Sequence, residues 1–113
     1  MSFITTHVLD LMLGKPARGV GVLLESMQSD GWRFVARSET DPDGRVKGLV
    51  PADWPPAGGT YRLTFFTGAY FAAHHTAGFY PEVAVVFEVR DASQHHHVPL
   101  LLSPHGYSTY RGS

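Results

Sequence analysis

Hydrophobic and polar residues alternate along most of this chain in short runs, and clusters of glycine, proline and aspartate separate the runs. Alternation with a period of two sends successive side chains to opposite faces, the mark of a half-buried β-strand. Residues 20–27, 32–39, 60–67, 82–89 and 98–102 read as strands on this ground, and 3–9 and 107–111 add one at each end. Turn chemistry lies between them at Gly14-Lys15-Pro16, Ser29-Asp30-Gly31, Asp41-Pro42-Asp43-Gly44, Pro55-Pro56-Ala57-Gly58-Gly59 and Ser103-Pro104-His105-Gly106. The last of these suits a tight hairpin. Residues 68–76, with three alanines and no proline, predict a single short helix closed by Gly78. The proline-rich stretch 49–59 predicts a surface loop. Short strands at this spacing point to an antiparallel sandwich or barrel, a single domain over 1–113.

The same periodicity assigns faces. Thr5, His7 and Leu9 share one side of the first strand, with Ile4, Thr6 and Val8 on the other. Near the end of the chain His95, His97, Pro99 and Leu101 share a side, as do Ser108, Tyr110 and Gly112.

Composition then narrows the chemistry. The 113 residues carry 9 Lys and Arg against 10 Asp and Glu, a formal charge of −1, which argues against a broad electrostatic grip on nucleic acid or an anionic membrane. Cysteine is absent, so thiolate nucleophiles, disulfides and Cys-based zinc sites are excluded. No apolar run approaches the roughly 20 residues of a membrane span, and no secretory signal is visible, so a cytoplasmic location is expected. Seven histidines in a chain with only 17% charged residues direct attention to imidazole chemistry near neutral pH.

His95-His96-His97 places two imidazoles on one strand face, which is ligand spacing for a metal, but a third ligand is needed and the nearest carboxylates, Glu88 and Asp91, lie upstream. His74-His75 sits apart on the helical segment. The plainer reading makes one or two of these histidines exposed loop residues. His7 with His97 is a candidate acid–base pair, against a purely structural role for each. Arg45 leaves the Asp41-Pro42-Asp43-Gly44 turn and could fork onto an oxyanion, or be a solvated turn residue. Gly19-Val20-Gly21 has no phosphate-loop context, and Trp32 and Trp54 read as packing residues.

Three stretches together resemble a known family. They are Thr6-His7-Val8-Leu9-Asp10, then Thr40-Asp41-Pro42-Asp43-Gly44-Arg45, and finally His97-Val98-Pro99-Leu100-Leu101-Leu102-Ser103-Pro104 followed by Gly106-Tyr107-Ser108-Thr109-Tyr110-Arg111-Gly112-Ser113. The chain is similar over essentially its whole length to the transthyretin-related 5-hydroxyisourate hydrolases, and the terminal Tyr-Arg-Gly-Ser is the most specific part. The segment Gly78-Phe79-Tyr80-Pro81-Glu82-Val83 adds to the likeness. The resemblance implies an all-β fold, an eight-stranded antiparallel β-sandwich with one short helix. It also implies a homotetramer, a dimer of dimers with its sites in a channel at the dimer–dimer interface. The implied reaction hydrolyses 5-hydroxyisourate to 2-oxo-4-hydroxy-4-carboxy-5-ureidoimidazoline with no metal or organic cofactor. Matched residue by residue, it makes His7, Arg45 and His97 catalytic, and His7, Arg45, Tyr110 and Ser113 substrate-binding. A small-molecule carrier using the same channel is the competing expectation. One departure is visible: the family usually has Tyr where His96 stands, a position expected to face away from the channel. His105, at the hairpin tip, reads as variable turn chemistry.

Overall fold

The computed structural model describes residues 3–113. Eight strands and one helix follow in the order β1 (Ile4–Asp10), β2 (Lys15–Pro16), β3 (Gly21–Gln28), β4 (Gly31–Glu39), β5 (Gly59–Phe65), α1 (Thr67–Ala73), β6 (Val83–Val89), β7 (His96–Ser103) and β8 (Gly106–Thr109). They form two four-stranded sheets, ordered β2-β1-β7-β8 and β4-β3-β5-β6. Alternation decides which faces meet. Ile4, Thr6, Val8 and Asp10 of β1 are buried while Thr5, His7 and Leu9 are half-exposed. Val22, Leu24, Leu63, Phe65 and Val83 of one sheet join Ile4, Val8, Val98, Leu100 and Leu102 of the other in one apolar core. Each such side chain contributes roughly 1.5–3 kcal/mol by leaving water.

The sandwich and its helix are those expected, with one difference in strand direction. β1 and β7 run parallel, in the register Thr5↔His97 and His7↔Pro99. These strands come from opposite ends of the chain, so no hairpin forces them antiparallel. Every other ladder is antiparallel.

Local boundaries shift for identifiable reasons. Lys15–Pro16, expected within a turn, makes a two-residue strand against Leu9 and Asp10. The strand expected to reach residue 67 stops at Phe65, and Thr67 opens the helix. The helix ends at Ala73 because His75 takes the left-handed conformation (φ 55°), and the Thr76 N–H returns to the Phe71 carbonyl at 2.9 Å. His75 thus occupies the terminating position that the sequence assigned to Gly78. The hairpin at 103–106 forms as expected, with Ser103 paired to Gly106. The last strand, expected over 107–111, stops at Thr109, because its next partner is Pro99, which has no N–H to give. Thr109 Oγ1 instead donates to the Pro99 carbonyl at 2.7 Å, and the chain rejoins β7 at Gly112.

A buried carboxylate ties the helix to the other sheet. Asp10 Oδ2 accepts from the Tyr70 hydroxyl at 2.7 Å, and Oδ1 accepts from the Met12 and Leu13 amides at 2.9 and 3.0 Å. Burial, and then the Asp10 bond and charge, push the Tyr70 hydroxyl well above its ordinary pKa. Trp32 and Trp54 serve in packing, each beneath a guanidinium, Arg62 at 4.3 Å and Arg33 at 5.2 Å from the ring centres. Among the described residues no helix is long and apolar enough to cross a membrane.

Candidate active site

The parallel register of β1 and β7 sets Thr5, His7 and His97 on one outer face, because paired residues share a side. This is the face that the period-two reading gave to His7 and His97. Arg45 arrives from a separate turn. Asp41 Oδ1 accepts from the Asp43 and Arg45 amides at 2.9 and 3.0 Å, and the Gly44 N–H closes the turn on the Asp41 carbonyl at 2.8 Å. Those amides, the Arg45 amide first, hold the Asp41 carboxyl below its usual range despite some opposing desolvation. Buried Thr40 anchors the turn from behind, donating to the Ala17 carbonyl at 2.7 Å and accepting from the Val20 amide at 2.9 Å. Gly44 is then needed on two counts. Its φ is +76°, and a Cβ there would lie 2.4 Å from the Val8 carbonyl oxygen. That contact lets the Val8 amide bond the Gly44 carbonyl at 2.8 Å and puts Arg45 in bridge pairing with His7.

Hydrogen bonds fix the imidazoles. His7 Nε2 lies 2.8 Å from the Asp43 carbonyl oxygen. A carbonyl only accepts, so Nε2 carries the proton, and in the neutral ring Nδ1 holds the lone pair. His97 Nδ1 lies 2.8 Å from Thr5 Oγ1, and the same hydroxyl lies 2.7 Å from His95 Nε2. Behind His97 is Gly112, whose N–H donates to the His97 carbonyl at 2.8 Å. A Cβ on Gly112 would come 2.5 Å from His97 Cδ2. Burial first, then the positive charge of Arg45 and the neighbouring His95 and His7, hold His97 below the ordinary imidazole pKa. A base that stays neutral near pH 7 is the consequence.

These groups open onto a polar cleft of about 460 Å³ lined by Thr5, Arg45, Lys47, His95, His97 and Ser113, among others. Of the residues singled out in the sequence, Arg45, His97 and Ser113 line it, and His7 adjoins it through its bridge to Arg45. Tyr110 does not join them. It lines a smaller apolar groove with Val85, Phe87 and Val98, sharing only His97 with the cleft, because the ladder to β7 breaks opposite Pro99. His95 and His97 stack at 6.1 Å, but among the described residues no group of three His, Asp or Glu side chains is placed to hold a metal ion. His96 is buried on the opposite face, as expected, and its Nδ1 has no hydrogen-bond partner. Thr5, Lys47 and Gly112 received no role from the sequence. Thr5 was legible only as sharing a face with His7, and the closeness of Gly112 to His97 needs the cross-strand register.

A family model described as the HIUase/Transthyretin family matches residues 4–112. A probable 5-hydroxyisourate hydrolase of Caenorhabditis elegans is 50% identical over 110 residues, covering 97% of this chain and 81% of the relative. The structure of Klebsiella pneumoniae 5-hydroxyisourate hydrolase superposes with a TM-score of 0.85 at 35% identity, each chain covered fully at 100%. Transthyretin from Sparus aurata superposes with a TM-score of 0.92 at 30% identity, covering 99% of this chain and 97% of its own.

Proposed function

The chain belongs to the HIUase/Transthyretin family, and from that premise we propose that it is a 5-hydroxyisourate hydrolase whose catalytic groups are His7, Arg45 and His97. The observation that carries this assignment of roles is the meeting of two imidazoles and one guanidinium around a single polar cleft. Hydrolysis of a cyclic amide needs a water made nucleophilic and a carbonyl made electrophilic. His97, held neutral, takes a proton from water as the water oxygen bonds to the carbonyl carbon. His7, its Nε2–H committed to Asp43, keeps Nδ1 as an acceptor for the water's second hydrogen. Arg45 binds the substrate's oxygens and stabilises the oxyanion that develops. The carbon–nitrogen bond then breaks, the ring nitrogen takes the proton back from His97, and the former carbonyl carbon is left as a carboxylic acid, which ionises by releasing the water's second proton to solvent. The product is 2-oxo-4-hydroxy-4-carboxy-5-ureidoimidazoline. Ser113 binds substrate from within the cleft, and Tyr110 borders it across His97. No step of this scheme calls on a metal or an organic cofactor.

The same reading makes the protein a homotetramer, a dimer of dimers with clefts facing across the dimer–dimer interface. Two features support assembly. β6 and β8 are edge strands with one unpaired side each. Leu11, Met12 and Leu13 form an apolar run that is 57%, 47% and 45% exposed. Carriage of a small molecule is the second reading, favoured by the likeness to sea bream transthyretin, which has been solved in complex with thyroxine. The cleft's Arg45, Lys47, His95 and His97 suit a small polar substrate better.

An ultraviolet progress curve on 5-hydroxyisourate, made in place from urate and an oxidase, tests the assignment. Wild-type protein accelerates the decay, while His97→Asn stays tetrameric and loses roughly 100-fold or more in kcat. Wild-type decay no faster than the blank would overturn the hydrolase, and a fully active His97→Asn would remove His97 from the mechanism.

A further inference from the structure

One hydroxyl touches two imidazoles in this cleft. Thr5 Oγ1 is 2.7 Å from His95 Nε2 and 2.8 Å from His97 Nδ1. A hydroxyl has one proton to give, so the two ring nitrogens cannot both be acceptors; at least one of them must donate to Thr5. The protonation states of His95 and His97 are therefore tied together. His97 can offer a lone pair at Nε2 only when Nδ1 carries the proton, and that proton then points at the Thr5 oxygen. The Thr5 hydroxyl is left to donate to His95 Nε2. Nε2 of His97 itself has no protein hydrogen bond among the described residues.

We propose that Thr5 and His95 are positioning and proton-relay residues, which hold His97 in its Nδ1–H tautomer and carry the proton it takes from water out to His95. The proposal rests on the reading of His97 as the base. The relay balances in both directions. As His97 Nε2 takes the proton from the attacking water, its Nδ1 proton passes to Thr5 oxygen and the Thr5 proton passes to His95 Nε2. His95 becomes the imidazolium, and His97 is neutral with Nε2–H. On collapse, His97 gives its Nε2 proton to the departing ring nitrogen. The Thr5 proton returns to His97 Nδ1, and the His95 Nε2 proton returns to Thr5.

Electrostatics supply the direction. Cationic Arg45 and Lys47, from the turn after residue 41, line the cleft with both His97 and His95, while His7 stands two residues beyond Thr5 on β1. A positive charge kept on half-buried His97 faces this cationic surrounding, with burial and Arg45 both opposing it. His95 is exposed, so water solvates the same charge there.

Thr5→Val removes the hydroxyl while keeping the side-chain shape, and Thr5→Ser restores it. Nitrogen-15 shifts of His97 at pH 8 read the tautomer, and progress curves read kcat and KM. In wild type and in Thr5→Ser, His97 is Nδ1-protonated. In Thr5→Val it shifts to the Nε2–H form, and kcat falls by about tenfold to 100-fold with KM unchanged, the scale of acid–base assistance. Wild-type nitrogen shifts together with wild-type kcat in Thr5→Val would overturn the proposal. The nitrogen shifts read the Thr5–His97 coupling whether or not His97 is the base, whereas a fully active His97→Asn would sink the base assignment and the relay with it.

Discussion

Replacing Gly112 with alanine isolates one contact. The φ of Gly112 is not positive, so alanine meets no backbone penalty there. What it meets is the imidazole. The new methyl would stand 2.5 Å from His97 Cδ2 and 3.2 Å from both His97 Cγ and Pro99 Cγ. Non-bonded carbons settle at about 3.5–4.0 Å, so the ring or the chain end must move by about 1 Å. A shift of that size stretches the 2.8 Å bond between His97 Nδ1 and Thr5 beyond hydrogen-bond range. Misplacing a reacting group by about 1 Å costs on the order of 100-fold in rate. If the chain end gives way instead, Ser113 leaves the cleft it lines. Gly112→Ala is expected to lose about 100-fold in kcat on freshly generated 5-hydroxyisourate, with its urea midpoint close to wild type because the residue lies outside the core. A variant within about threefold of the wild-type kcat would refute the view that Gly112 is present to seat His97.

Arg45→Ala should lower kcat/KM by roughly 100-fold to 1,000-fold, the loss of one oxyanion donor. Its melting temperature should hold, since Gly44 and Asp41 build the turn through backbone contacts; lost stability with retained activity would make Arg45 a turn residue. The titration of His97, followed by NMR, should lie below the ordinary imidazole midpoint, and Arg45→Ala should raise it while burial keeps it from returning fully. The unfolded chain binds this proton first, so the stability contribution of His97 is complete above the ordinary imidazole pKa and is lost as pH falls through it towards the lowered folded value. An unchanged midpoint in Arg45→Ala would contradict that electrostatic coupling. Tyr70→Phe should cost about 1.5–3 kcal/mol in denaturant unfolding, because buried Asp10 loses a charged hydrogen bond, and should leave kcat unchanged.

Several features of this protein needed nothing beyond the order of its residues. Period-two alternation identified the strands and the buried face of β1, because a β-strand exposes its two sides regardless of partner. The Ser103-Pro104-His105-Gly106 hairpin and the Asp41-Pro42-Asp43-Gly44 turn were legible because their chemistry is local. His7 and His97 could be assigned to outer faces, but nothing in the spacing said that the faces were neighbours. The parallel pairing of β1 with β7, across some 90 residues of chain, is a long-range choice made by core packing, and it brings Thr5 under both His95 and His97. That Tyr110 lies in the adjoining groove, across His97 from the cleft, was not legible for a related reason, since the last strand loses its ladder to β7 at Pro99. The helix end escaped prediction because His75 accepts a left-handed backbone that the sequence reserves for glycine. Local pattern thus determined which residues face outward, and tertiary contact decided which of them meet, because side-chain period is a property of one strand while a site is made between strands.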